Sequence, residues 1–381
     1  MQTGRAPFRA GTAAAAPGER AFGHLIATLA DGQEVPVACW VVHGRRPGPV
    51  LYVHSTQHGN EISGIEVVRR VAQTLDPGRL RGTLVAVPIA NPLAFAWRRH
   101  HYLQEAEEAY QAHPEKDLGQ AWPGDPRGTM PERLAHALWD GAVRQATHVL
   151  DLHTWNRWQA AATTVNAWHA PSLDLALAFG LWVQARWDPA APGEGGRRYL
   201  NRVAADHGKA ACTPNFTGQW DIYEPEVRRG VAGLRRVLRH LEMWPAGRAG
   251  REPRGRQATK GSGAGPGTAP GPEPVVFAVE DLVDVRVARP GIFLPRVRPE
   301  QGVRRGDVLG QLVPLDDFRA EPVLAPLDAL VHLVGAIGPG ADVALPPMMP
   351  VARADGRVAR LLPLDRIGVR RPSGAPAGVS G

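Results

Sequence analysis

Val50-Leu-Tyr-Val-His-Ser55 is an apolar run interrupted by one imidazole. It passes through the polar corner His58-Gly-Asn-Glu61 into a segment where Ile62, Ile65, Val68, Val71 and Leu75 share one helical face. A buried strand turning directly into an amphipathic helix needs a sheet beside it and a layer above it. The same texture recurs along the chain. Gly82 to Ala90 reads as a strand, 131–145 as a helix and Thr147 to His153 as a buried strand. Residues 173–185 and 197–207 read as helices, Lys209 to Gly218 as a strand with its exit loop, and Val227 to Met243 as a helix. Residues 24–44 alternate like two paired strands around the turn signal Asp31-Gly32. Strands that are continuously apolar and alternate with helices indicate an α/β layer: a mixed, largely parallel sheet flanked by helices.

Residues 245–274 break that pattern. Gly, Pro and Arg dominate and apolar anchors vanish, as in a linker. Beyond it come short β-like pieces with frequent turn signals, so a small C-terminal all-β domain is expected. The chain therefore divides into a disordered arm (1–20), a catalytic-type domain (21–244), the linker (245–274), a β domain (275–365) and a disordered tail (366–381).

Charge and composition narrow the function. The formal charge is +7, yet Arg248, Arg251, Arg254, Arg256 and Lys260 sit in the linker against Glu252 alone. Cations placed there are solvated linker charges rather than a shaped nucleic-acid surface. No apolar run reaches the roughly 20 residues that span a bilayer, and the first residues lack the apolar stretch of a secretory signal. A cytoplasmic enzyme or binding protein for a small molecule is expected, without nucleic-acid or membrane partners. Homo-oligomerisation is left open. Cys39 and Cys212 make neither a disulfide framework nor a thiolate metal motif.

Functional loops of an open α/β sheet gather at the carboxyl ends of its strands. His58 and Glu61 follow one predicted strand, and Asp151-Leu-His153-Thr154 closes another. Two imidazoles and a carboxylate delivered from two strand ends fit a zinc site with three protein ligands and one open position. Read from spacing alone, the same residues also fit hydrogen-bonded structural histidines. His54 belongs to the buried strand and reads as core or as support for a ligand.

Several motifs then occur in a telling order. His58-Gly-Asn-Glu61 follows GPVLYVHSTQ, and Asn91-Pro92 follows LVAVPIA. Trp122-Pro123-Gly124 precedes Glu132-Arg133-Leu134-Ala135, and Asp151-Leu152-His153-Thr154 comes last. Together they resemble the succinylglutamate desuccinylase/aspartoacylase family of the zinc carboxypeptidase-like superfamily, over roughly residues 35–345. PGIFLPRVRPEQGVRRGDVLGQL resembles that family's barrel-sandwich module. The resemblance implies a zinc-carboxypeptidase-like fold and one Zn2+ held by His58, Glu61 and His153, with Asp151 orienting a ligand from behind. It implies hydrolysis of an N-acyl amino acid at its amide. It also implies substrate contacts at or near Asn91, Arg98, Arg99, His100 and Gln120.

At the supporting positions the chain departs from the family. His100 stands where the family has an arginine, with Arg98 and Arg99 adjacent. Gly119-Gln120 replaces an Asn-Arg pair, and a glutamine cannot neutralise a carboxylate. Asn215 occupies the position of the family's general-base glutamate. An amide accepts no proton at neutral pH, and losing a general base costs about 10²–10⁴-fold in rate. Asp221, Glu224, Glu226 and Glu194 are the acids that stand in reach along the sequence, Glu224 foremost. Two expectations follow: a zinc-dependent hydrolase of an amide or ester with an altered pocket, or a zinc-binding protein without turnover.

Overall fold

The computed structural model describes residues 5–103, 114–155, 158–188, 198–245, 274–337, 351–352 and 355–368. Linker residues 246–273, tail residues 369–381 and Glu194 lie outside them. The elements run β1 (Phe8–Ala10), β2 (Ala13–Ala15), β3 (Glu19–Thr28), β4 (Glu34–His43), β5 (Arg46–Ser55), α1 (Ser63–Thr74), β6 (Arg81–Val87) and α2 (Pro92–Trp97). They continue with α3 (Met130–Gly141), β7 (His148–Trp155), β8 (Ala162–Asn166), α4 (Ala170–Phe179), β9 (Trp182–Arg186), α5 (Leu200–Asp206), β10 (Ala210–Thr217), α6 (Glu224–His240) and β11 (Val276–Phe277).

Nine strands form one sheet in the order β11-β9-β8-β10-β7-β5-β6-β4-β3. The centre is parallel: β6, β5, β7 and β10 pair in that sense, as do β8, β9 and β11. The β10–β8, β4–β6 and β3–β4 pairs are antiparallel. The sheet is thus the mixed, mostly parallel one expected, with helices on both faces. One face buries Val67, Val68 and Val71 of α1 with Phe179, Phe216, Leu234 and Val237. The other buries Leu134, Leu138 and Trp139 of α3 with Tyr52, Val85 and Val149. Each such valine contributes about 1.5–3 kcal/mol relative to remaining in water.

Two four-stranded sheets make the C-terminal β domain: Val283–Val287, Gly356–Pro363, Ala329–Ile337 and Gly302–Val303 in one, and Glu321–Leu324, Val308–Pro314, Gly291–Pro295 and Val351–Ala352 in the other. Phe293, Leu309, Val331, Val334 and Leu361 fill the space within. The domain touches the connection between β7 and β8 through backbone hydrogen bonds from Ala160 N to His332 O (2.7 Å) and from Val334 N to Trp158 O (3.0 Å).

Three expectations need correction. Residues 1–20 are not a disordered arm: from Arg5 onward they fold, β1 and β2 forming a hairpin that buries Ala10, Ala13 and Ala15 against Val37 and Cys39. Its fully buried residues are alanines, which lack the periodicity of large apolar side chains that marks a core strand. The segment 173–185 is not one helix. Gly180 takes the left-handed conformation at φ 80° and ends α4, and Trp182–Arg186 becomes a strand. The β-domain boundary also moves, because Val276–Phe277 completes the main sheet beside β9.

Phe216 is fully buried, its ring centroid 6.1 Å from that of Phe179. It also packs on Gly230 of α6 so tightly that a methyl group there would lie 2.8 Å from it. Phe216→Ala is expected to cost about 3–5 kcal/mol, measured as a shift in the urea unfolding midpoint at unchanged slope.

Candidate metal and substrate site

The corner after β5 is pinned from several sides. Thr56 Oγ1 donates to Glu61 O at 3.0 Å. Gly59 N donates to His100 O at 3.1 Å, and Trp220 N donates to Asn60 O at 2.8 Å. Gly59 is needed for close approach: a Cβ there would meet Ala94 O at 2.1 Å and Arg99 O at 2.5 Å. That backbone contact turns the loop back so that His58 and Glu61 face the end of β7.

The Glu61 carboxylate lies between two imidazoles. Its Oε1 is 2.9 Å from His58 Nδ1, and its Oε2 is 2.9 Å from His153 Nδ1. Oε2 also accepts from Thr154 N at 2.9 Å. Each imidazole has a second carboxylate behind it. His58 Nε2 is 3.2 Å from Asp117 Oδ1, and His153 Nε2 is 2.8 Å from Asp151 Oδ1. His54 Nε2 donates to the same Asp151 oxygen at 2.7 Å, and His54 Nδ1 meets the Tyr52 hydroxyl at 3.1 Å.

Burial opposes every charge in this cluster, and pairing overrides it. Desolvation pulls His58 down, but Glu61 and Asp117 raise it to about 9. Desolvation pushes Glu61 up, but His153 and His58 bring it to about 2. His153 is likewise raised well above its ordinary value by Asp151 and Glu61 against burial. Asp117 and Asp151 stay low for the same reason.

One donor atom each from His58, Glu61 and His153 falls within 4.8 Å of the others, and the same holds for His58, His100 and His101. The donor chemistry separates the two sets. His58 and His100 stack with ring centroids 3.8 Å apart and planes 17° from parallel. Nearly parallel stacked rings cannot both aim in-plane lone pairs at one ion. The first set has both Nδ1 atoms turned to Glu61 and a carboxylate behind each ring. Outer carboxylates of this kind fix the tautomer and orientation of metal-binding histidines. These residues fit a divalent ion such as zinc, with room for a fourth ligand.

The cluster opens into a cavity of about 440 Å³, the size of a small-molecule site. His58, His153, Asp151, Asp117, His100 and Gln120 line its metal end. Asn215 lines it too, on β10 directly beside His153. Its Nδ2 is committed to Thr213 O (2.8 Å), Ala162 O (3.3 Å) and Thr164 Oγ1 (3.3 Å). His100 Nδ1 meets Asn60 Oδ1 at 3.0 Å, and Gln120 Nε2 donates to Asp117 Oδ2 at 2.8 Å.

Other expected residues lie elsewhere. Asn91 is a helix cap: its Oδ1 accepts from Ala94 N at 3.0 Å, Pro92 starts α2, and its Nδ2 donates to Gln57 O at 3.2 Å. Arg98 is exposed at the C-terminal end of α2, and neither it nor Arg99 is among the lining residues. The left-handed backbone of Arg98 at φ 56° ends α2 there. Glu224 does not approach the pocket; it opens α6 and pairs with Arg70 at 2.8 Å. Glu226 caps the end of β10 by accepting from Thr217 N at 3.1 Å. Among the described residues, the only carboxylates lining the pocket are Asp117 and Asp151. Sequence reading missed the far wall, formed by Thr164, Gln184, Arg186, Tyr199, Asn201 and Thr213. The alternation of Trp182, Gln184 and Arg186 was the available signal, hidden by reading that segment as helix.

A mixed sheet that presents a His/Glu/His cluster at its strand ends defines a class of hydrolase-like folds. Residues 47–241 match the family model described as the succinylglutamate desuccinylase/aspartoacylase catalytic domain. That is half of the chain, and the chain belongs to this family. Among solved structures, an aspartoacylase family protein from Mesorhizobium loti is similar over 96% of this chain and 100% of its own, at TM-score 0.65 and 22% identity. A succinylglutamate desuccinylase/aspartoacylase from Rhodobacter sphaeroides is similar over 90% and 95%, at TM-score 0.62 and 21% identity. The N-alpha-acetyl-L-2,4-diaminobutyric acid deacetylase of Halomonas elongata is 28% identical over 114 residues. The match spans 30% of that relative's length and 30% of this chain. No helix among the described residues is long and apolar enough to cross a membrane.

Both candidate imidazoles are raised above their ordinary value by the carboxylates beside them, which favours their protonated forms before metal binds. Zinc addition at pH 7 is expected to release about two protons, and affinity to fall as pH drops below about 9, where His58 gains its proton. Calorimetry in buffers of different protonation enthalpy measures this; zero release would contradict the assignment. Asp151→Asn is expected to weaken zinc binding about 10–100-fold.

Proposed function

We propose that the chain is a zinc-dependent hydrolase that cleaves the amide or ester bond of a small N-acyl amino acid-like compound. The observation that carries this reading is the Glu61 carboxylate held between the Nδ1 atoms of His58 and His153, two imidazoles that line the pocket. Membership in a family of zinc-dependent deacylases supports it. His58, Glu61 and His153 would hold a zinc ion, which when bound would supply Lewis acidity to an acyl carbonyl and acidify water.

The chain's own residues do the rest. Asp117 and Asp151 hold the two imidazoles by their Nε2 atoms, which leaves each Nδ1 turned toward Glu61, donating to it until loss of the proton frees the nitrogen for a metal. Asp151 is itself fixed by His54, so the ring of His153 has one orientation. Thr154 N–H anchors the Glu61 carboxylate. Asn215 sits beside His153 as a neutral group whose amide is spent on strand carbonyls, so it takes no proton. Asp117 and Asp151 are each committed to an imidazole. With no uncommitted carboxylate among the described lining residues, the site favours substrates with a good leaving group, and esters are cleaved faster than amides.

A second reading rests on the same Asn215: a zinc-retaining protein that binds an acylated metabolite without turnover. The test is hydrolysis of N-acetyl amino acids and simple esters by the zinc-loaded protein. Wild type is expected to turn over esters more readily than amides, and Glu61→Ala to lose both zinc and at least about 100-fold in kcat/KM. A silent wild type beside an active Asn215→Glu variant would establish the binding reading instead.

A further inference from the structure

The two sheets of the C-terminal domain have different neighbours. The sheet that contains Ala329–Ile337 faces the main domain: Leu330 and Leu362 pack with Trp155, Ala160 and Trp182. The sheet of Gly291–Pro295, Val308–Pro314 and Glu321–Leu324 turns Phe293, Leu309, Leu312 and Val323 into the domain core. Strand alternation then sends Ile292, Leu294, Val308, Gln311, Val313, Pro322 and Leu324 to the outer face. Gln311 is the one polar side chain in that set. Leu294 and Leu324 are 45% and 48% exposed, and Leu315 and Phe318, the latter at 65%, extend the patch beyond the central strand. Scattered apolar residues on a surface are ordinary, but a contiguous patch marks an interaction face. Strand addition at the edge is disfavoured, because Glu321–Leu324 has four residues and includes Pro322, which has no N–H to donate. The sheet therefore offers its face.

Charge is divided along the strands. Past the C-terminal end of Val308–Pro314 stand Asp316 and Asp317, with Glu321 beside them. These three carboxylates share Arg289, which pairs with Asp316, lies 2.8 Å from Asp317 Oδ2 and lies 3.8 Å from Glu321 Oε2. Arg319 is exposed in the same turn, its backbone N–H donating to Asp317 Oδ1 at 2.9 Å. At the opposite end stand Arg296, Arg304 and Arg305, all exposed. The acids there accept from backbone amides, Asp307 from Arg304 N at 2.8 Å and Asp328 from Arg305 N at 2.7 Å. The outer face is thus apolar in the middle, acidic at one end and basic at the other.

A second copy of this chain matches all three zones. Register places Leu294, Gln311 and Pro322 in one row across the strands. A two-fold axis along that row lays one face on the other with strand directions reversed, so each basic end meets an acidic end. An axis along the strands would oppose like charges, which is unfavourable. We propose that the chain forms a symmetric dimer through this face. Leu294 and Gln311 lie on the axis, Val308 and Leu324 cover the partner's Ile292 and Val313, and Arg304 and Arg305 meet the partner's Asp316 and Asp317.

The experiment is sedimentation equilibrium of the full-length chain over a wide concentration range. Three short strands make a modest interface, so a dimer of roughly micromolar Kd is expected. Leu294→Asp/Leu324→Asp changes exposed residues and is expected to raise Kd at least about 100-fold with an unchanged circular-dichroism spectrum. Arg304→Glu/Arg305→Glu and, separately, Asp316→Arg each raise Kd about tenfold, and an equimolar mixture of the two recovers most of the wild-type affinity. High salt weakens the wild-type dimer and strengthens each charge-reversed one. Gln311→Cys is joined across the axis by a short bismaleimide, since Cys39 and Cys212 are buried. A wild type that stays monomeric, leaving the face to a different protein, overturns the proposal. A dimer that Leu294→Asp/Leu324→Asp leaves intact uses another surface and overturns it too. Dissociation by the apolar variant without recovery in the charge-reversed mixture overturns the antiparallel arrangement.

Discussion

The carboxylate of Glu61 is the contact on which the site depends. It touches imidazoles from two elements: His58 in the corner after β5 and His153 at the end of β7. Those strands are hydrogen-bonded neighbours in the sheet. Parallel pairing brings both carboxyl ends to one edge, and the corner needs only one tight backbone approach, at Gly59, to close the distance. A buried carboxylate between two imidazoles is stable only because each charge has a partner. Removing one partner leaves another charge stranded in a low-dielectric interior.

The support extends inward from there. Asp151 accepts from both His54 and His153, so the alternating positions of β5 and β7 form a hydrogen-bonded chain from Tyr52 to the pocket. This explains an imidazole inside an otherwise apolar strand. His54 is fully buried and holds the carboxylate that orients His153. The pocket beyond is floored by β10, β8 and β9 of the sheet. Away from the His/Glu cluster its described polar groups are mostly neutral amides and hydroxyls, with Arg186 on β9.

Much of this was legible from the residues. The βα alternation and the mixed sheet followed from apolar periodicity. His58, Glu61, His153 and Asp151 followed from their place at strand ends and from their motifs. Other assignments were not legible. Glu224 is near Asn215 in sequence, but α6 turns it toward Arg70 on α1, a partner 154 residues away. Arg98 and Arg99 sit beside a pocket residue in sequence, yet the helix end turns Arg98 outward and leaves both off the pocket wall. Asn91 has a local reason for its identity, the capping of α2, which a sequence motif does not distinguish from substrate contact.

By itself the sequence determined the class of fold, the strand-end loops that carry the chemistry, and the identity of the metal candidates. Those features are local: apolar periodicity, turn residues and short motifs act within a few positions of themselves. Only the tertiary structure decided that Asp117 stands behind His58, that Asn215 spends its Nδ2 on β10 and β8, and that Asn201 and Arg186 line the cavity. Each of these joins residues far apart in the chain through sheet order and register, and a one-dimensional pattern does not encode which strand ends up beside which.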